Sequence, residues 1–273
     1  LMVRGFITYH DYMHNAILSR SRIAWWLFRL YSALALTPPR SWKHSHNYHH
    51  GHVGKLDAAD DGAFAMMTTD NWRDASLLKR IAYRVERHPL TILSGYFTIF
   101  FQSITVLPFL RNPARHWDSL LVLLGHSGLI AALWVWGGFD VAFFVVLLPM
   151  TIASMIGSYL FFAQHSFESM RILPTETWTS RRAAMESSSY LKLNRVMRWF
   201  TGNIGYHHVH HLNARIPFYR LPEAMEAIEE LQSPATITLS FKDIKACFRC
   251  CLWDEGLQRM VSYREFARAS AAA

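Results

Sequence analysis

The chain has 273 residues, 51% of them hydrophobic and 14% aromatic, a composition too apolar for an ordinary soluble domain. Its 28 basic and 20 acidic residues leave a formal charge of +8, which suits anionic lipid headgroups as well as nucleic acid. The apolar content and the ten Trp and eleven Tyr favour the lipid interface, so a bilayer is the expected partner and nucleic acid is not. Cys247, Cys250 and Cys251 are crowded into five positions, which excludes a disulfide framework and fits a reducing, cytoplasmic setting. No secretory signal or cleavable presequence is visible, and a chain that begins with Leu1 reads as a partial sequence.

Residues 1–9 are largely apolar and lead into His10-Asp11-Tyr12-Met13-His14, where two histidines at i and i+4 share a helical face. Arg20, Arg22 and Arg29 are then interleaved with Ile23, Trp25, Trp26, Leu27, Phe28 and Leu30, the pattern of a helix lying in the membrane interface and too charged to cross. Pro38-Pro39 end that segment. A second cluster follows at His46, His49 and His50, flanked by His44 and His52. Residues 55–88, with Asp57, Asp60, Asp61, Lys79, Arg80, Arg84 and Arg87, read as a polar cytoplasmic excursion.

Three apolar segments come next, Pro89–Leu110, Ser119–Trp136 and Val141–Ala163. At ~1.5 Å per residue each covers most or all of a ~30 Å hydrocarbon core. If histidines on either side of this region are to meet, the chain between them crosses an even number of times. Basic residues flank 89–110 on both sides (Lys79 to Arg87, then Arg111 and Arg115), whereas Gly137-Gly138-Phe139-Asp140 has none. The expected topology therefore has 89–110 dipping into or lying along the bilayer, and 119–136 with 141–163 forming a transmembrane hairpin. His126 lies inside that hairpin and reads as a neutral imidazole bonded to a neighbouring helix, while His88 and His116 read as interfacial.

His165 stands where the second hairpin helix leaves the lipid, followed by Glu168. Residues 171–201 are polar and contain the run Ser187-Ser188-Ser189. The third cluster is Gly202-Asn203-Ile204-Gly205-Tyr206-His207-His208-Val209-His210-His211, in which His207, His210 and His211 repeat the i, i+3, i+4 spacing and can converge on one ion. Glu223–Leu231 looks like an amphipathic surface helix, and 232–273 like a soluble tail whose Cys247, Cys250 and Cys251 are more simply unpaired thiols than a zinc site.

Three clusters and His165 supply nine imidazoles, more than one ion can use, which implies two metals. Nitrogen donors suit iron, copper, nickel or zinc, and the lack of Cys in the clusters argues against a structural zinc knot or an iron–sulfur centre. Asp11, Glu168 and Asn203 are candidates for accepting or fixing the second ring nitrogen of a ligand, since a metal-bound imidazole commonly donates its other N–H to a carboxylate or amide. Arg181, Arg182, Arg195 and Arg198 form either a docking face for an acidic protein or, as is commoner, a solvated basic run.

His-Asp-Tyr-Met-His, His-Asn-Tyr-His-His, Gln-His-Ser-Phe-Glu and the stretch Thr201–Leu221 resemble, in the same order, the His boxes of the membrane fatty-acid desaturases, most closely the bacterial acyl-lipid Δ12/ω-6 type. The resemblance implies an all-α integral membrane protein with a cytoplasmic helical cap, in the bacterial inner membrane. It also implies one desaturase domain over 1–273: boxes one and two in 1–88, membrane segments in 89–163, box three in 164–231 and a tail in 232–273. By the same resemblance His10, His14, His46, His49, His50, His165, His207, His210 and His211 are the ligands of a non-haem di-iron centre, with two Fe ions and O₂ as co-substrate. The resemblance further implies an acyl chain on a lipid or carrier as substrate, a cis double bond in the product, and a ferredoxin- or cytochrome-type electron donor. The neighbouring outcomes are hydroxylation, epoxidation or acetylenation on the same scaffold, or metal handling without catalysis. Relatives carry two membrane helices before or at the first box, whereas here nine residues, about 13 Å of helix, precede His10. The chain is thus expected to be a truncated piece of a longer protein or to lack the first hairpin.

Overall fold

The computed structural model describes residues 1–56, 64 and 66–272; Asp57, Asp60 and Asp61 of the polar excursion lie outside them. The N-terminal helices are α1 (Met2–Met13), α2 (Arg22–Leu34) and α3 (Pro39–His52). Ser21 starts α2 by accepting Ala24 N–H at 3.1 Å, the usual role of a side-chain oxygen at a helix N-terminus. Pro39 is the first residue of α3, where its missing N–H costs nothing, so the Pro pair that closes one segment also opens the next.

Strand β1 (Met67–Thr68) leads into α4 (Thr69–Asp74) and α5 (Leu77–Glu86), whose first turns are capped by Thr68 and Ser76. The apolar run that follows is α6 (Pro89–Leu93), a stretch of wide i→i+5 turns over Tyr96–Val106, and α7 (Leu107–Arg111). Such wide turns are rare and free carbonyls for other donors. Thr105 Oγ1 reaches Phe100 O at 2.7 Å and Leu36 O at 2.9 Å.

From Trp117 to Ala163 the chain is helical through α8 (Trp117–Ala142), a wide segment Phe143–Leu147 and α9 (Leu148–Ala163), and includes an 18-residue stretch of mean hydropathy 2.1. Gly138 interrupts it, at φ 83° and ψ 169°, a conformation only glycine adopts readily. The sequence break expected at 137–140 is therefore a real reversal: Val122 before it packs in one cluster with Val146 and Met150 after it.

Beyond lie α10 (Ser180–Glu186), β2 (Tyr190–Leu191), α11 (Arg195–Phe200), α12 (His207–Leu212) and α13 (Leu221–Ala227). The C-terminal part holds β3 (Thr236–Ile237), α14 (Phe241–Arg249), β4 (Leu252–Asp254), β5 (Arg259–Val261) and α15 (Tyr263–Ala272). The expected all-α architecture holds for most of the chain and gives way to two small sheets, ordered β1-β4-β5 and β2-β3. The surface helix expected over 223–231 is shorter, because Ile228 is extended at φ −116°, ψ 110°.

The chain folds as two compact units, Leu1–His46 with Leu90–Tyr159, and Asn47–Pro89 with the chain from Leu160 onward. The first has its core at Leu36, Tyr96, Phe100, Val122, Val146 and Met150. His126 sits within it as the sequence suggests, its Nδ1–H donating to Ala33 O at 3.2 Å while Nε2 accepts from Tyr96 Oη at 2.7 Å.

The second unit corrects the reading of 232–273 as a tail. β4 pairs parallel to β1 and antiparallel to β5, and Cys251, Leu252 and Val261 join Trp72 and Tyr83 in a buried cluster. All three cysteines are buried thiols outside any disulfide. Arg87 is buried too, its guanidinium donating to Ser166 Oγ at 2.8 Å and Cys250 O at 3.0 Å. One cation thereby ties the C-terminal segment to the residue after His165.

Candidate metal centre

In the first unit, α1 brings His10 and His14 to one face, their rings 4.7 Å apart, as the i, i+4 spacing requires. His46, from α3, approaches both: its Nε2 is 3.0 Å from His10 Nε2 and its ring 4.9 Å from that of His14. Trp42, one turn earlier on α3, stacks on His46 at 4.4 Å and meets His10 edge-on at 5.6 Å. His10 Nδ1–H donates to Asp11 Oδ1 at 3.1 Å, which leaves the Nε2 lone pair facing His46.

The second unit holds a fuller group. His49 of α3, His165 just after α9, and His207 and His211 of α12 are all buried. His49 Nε2 lies 3.1 Å from His165 Nε2 and 3.3 Å from His211 Nε2, and His207 Nε2 lies 2.8 Å from His165 Nε2 and 3.1 Å from His211 Nε2. Four nitrogens so close cannot all be satisfied by the single proton each ring offers. An ion with four bonds of ~2.0–2.1 Å needs nitrogens roughly 3.3 Å apart. The donor set, all nitrogen with neither Cys nor carboxylate in it, could hold a metal ion.

His165 Nδ1–H donates to Ser187 O at 2.9 Å, fixing the tautomer that turns Nε2 inward. Burial holds the His165 and His211 imidazoles well below their ordinary pKa, the neighbouring histidines pushing the same way, so they present neutral donors. His210 turns elsewhere, its Nε2 3.0 Å from that of His50. The three histidines of box three therefore do not converge on one point.

The candidate supports divide. Asp11 touches His10, as described. Glu168 is exposed, and a backbone carbonyl takes the place expected for it at His165. Asn203 donates from Nδ2 to Phe218 O at 3.1 Å. Its other role is conformational: Gly202 and Asn203 both have φ +53°, and the bonds Asn203 N–H to Arg198 O and Gly202 N–H to Trp199 O close α11 in the double-bonded C-terminal turn that favours Gly and Asn. Two contacts had no sequence signal, the Ser187 carbonyl because any residue provides one, and the stacking of Trp42 because tryptophan is common throughout this chain.

Other histidines stay out of these groups. His44 faces Arg115, His52 bonds Tyr48 O, and His208 donates to Leu231 O at 3.2 Å. The basic face is already engaged in part, with Arg181 paired to Glu230, Arg182 to Glu186, and Arg198 bonded to Tyr206 Oη.

Burial lowers the His208 pKa to about 4. Between 6.5 and 4 the unfolded chain binds a proton that the folded one does not, so the stabilisation is complete above pH 6.5 and lost as pH falls. Thermal unfolding in detergent should show a loss of about 2 kcal/mol from this group by pH 5. A His208→Leu variant should lose less over the same interval.

The fatty acid desaturase family model matches residues 1–241. A fatty acid desaturase of Bacillus subtilis is 35% identical over 268 residues, covering 96% of this chain and 74% of the relative. The sn-1 oleoyl-lipid 12-desaturase of Synechocystis is 23% identical, covering 84% of this chain and 66% of the relative. The sn-1 acyl-lipid omega-3 desaturase (ferredoxin) of Nostoc is 26% identical, with 82% and 63% covered.

Proposed function

The chain belongs to the fatty acid desaturase family of oxidoreductases, and from that premise we propose that it inserts a cis double bond into a membrane-derived acyl chain, with Δ12/ω-6 regiochemistry. The observation that carries the reading is the buried quartet His49, His165, His207 and His211, whose Nε2 atoms face one another. These four would hold one iron, and His10, His14, His46, His50 and His210 are the box histidines that the family's sequence pattern leaves for a second. On α3 the positions of His46 and His50 lie about 40° apart and His49 about 60° to the other side, which suits that division.

Bound iron supplies the oxidising power to take hydrogen from an unactivated methylene with O₂ as oxidant. The protein's part is orientation and exclusion of water. Asp11 and Ser187 O hold ring tautomers, and burial keeps His165 and His211 neutral. A small, mostly apolar hollow is lined by Phe6, Tyr31, Ala35, Phe100, Met150 and Gly157, and Phe6 is one turn of α1 from His10. Electrons come from a ferredoxin- or cytochrome-type donor, a class supported by the donor named for the Nostoc relative.

The membrane placement has the hairpin on either side of Gly138 crossing the bilayer, with the histidines on the cytoplasmic face. Residues 117–137 alone give ~31 Å of helix against a ~30 Å core. Reporter tags at 113 and 138 should fall on opposite sides, and tags on the same side would contradict this topology. For the reaction, the chain should be expressed, with and without an added N-terminal hairpin, in a host lacking polyunsaturated lipids and its fatty acids profiled by mass spectrometry. A new diene is expected, whereas only hydroxylated chains would point to a hydroxylase.

A further inference from the structure

Helix α5 leaves its most apolar side uncovered. Leu77, Leu78, Ile81 and Val85 are 73%, 79%, 49% and 57% exposed, and at about 100° per residue they fall within a ~100° arc. The other side carries Tyr83, buried against Trp72, Leu252 and Val261. Between the two sides stand cations: Lys79 at one edge, and Arg80 and Arg84 at the other, with the guanidiniums of Arg80 and Arg84 over the Trp72 ring. A helix that packs through one narrow face and exposes four large aliphatic side chains is not the polar excursion its charge count suggests.

We propose that α5 lies in the plane of the membrane, with Leu77, Leu78, Ile81 and Val85 in the acyl region and Lys79, Arg80 and Arg84 against anionic lipid headgroups. Length decides the orientation. Ten residues make ~15 Å of helix, half the ~30 Å needed to cross, and both ends are closed, by Ser76 at the start and by Arg87 N–H on Tyr83 O at the end. Charge decides the occupant. A second copy of the same face would bring like cations together with Glu86 as the one acid on the helix, whereas lipid phosphates neutralise them. Continuity supports the same choice, since Arg87 and His88 alone separate α5 from the apolar run that begins at Pro89.

This inference rests on the membrane placement proposed above, and one experiment separates the two. Nitroxide labels are placed at Leu78→Cys, Lys79→Cys and Val135→Cys in the whole chain, reconstituted into liposomes containing phosphatidylglycerol. The native thiols are buried, Cys250 being pushed up to about 12 by that burial, so they compete poorly for the reagent. Collision with dissolved oxygen should dominate over collision with a water-soluble nickel chelate at 78 and 135, and the reverse should hold at 79. Nickel access at 78 equal to that at 79, with 135 still in lipid, overturns the α5 assignment alone. Nickel access at both 78 and 135 overturns the membrane placement together with it. An immobilised, dipolar-broadened signal at 78 overturns it in favour of a second copy of the chain.

Discussion

A His165→Ala chain is expected to keep its fold and lose its metal. The imidazole Nε2 lies 3.1 and 2.8 Å from those of His49 and His207, so its removal opens one corner of the buried quartet. The local backbone is held without it: Gln164 Nε2–H donates to Ile204 O at 2.8 Å and Ser189 N–H donates to Gln164 O at 3.1 Å. Partners that merely orient a ligand are worth ~10–100-fold in affinity or activity, so loss of the ligand should lower turnover by at least ~100-fold. Iron analysis and turnover, measured beside circular dichroism, check this. Full iron content with unaltered turnover would remove His165 from the site.

Gly205→Ala should be damaging for a different reason. A methyl group there would stand 2.4 Å from the backbone oxygen of Leu191, and Leu191 N–H already donates to Gly205 O at 2.8 Å. Neither backbone can move without breaking the approach of β2 to the turn that launches α12. Overpacking of this kind costs about 1–3 kcal/mol, and contact with backbone puts Gly205 near the upper end. The displacement passes directly to His207, two residues on. The expected result is a lower unfolding midpoint together with reduced iron content; an unchanged midpoint would show that the two backbones separate freely.

That these histidines cluster was legible in the sequence, because residue type and helical spacing are both visible from His10 to His211. How they divide was not. On a helix, i and i+4 are about 40° apart while i+3 lies about 60° to the other side, so an i, i+3, i+4 triplet can aim at one point or at two. In α12 it aims at two, with His207 and His211 facing His165 and His210 facing His50. Glu168 and Asn203 were read by nearness in sequence, but the carbonyl of Ser187 and the left-handed turn at Asn203 answer to tertiary contacts that spacing does not encode. The hairpin was legible because a Gly-Gly pair without basic residues interrupts two long apolar runs. The C-terminal fold was not, since β4 pairs with β1 from more than 180 residues earlier, through strands only two or three residues long.

The most direct measurement is the metal content of the purified chain, taken with its turnover. Two irons per chain are expected, with loss of substrate hydrogen that requires both O₂ and an electron donor. Exchangeable zinc in their place, with no turnover under those conditions, would contradict the desaturase reading and leave a membrane protein that handles metal.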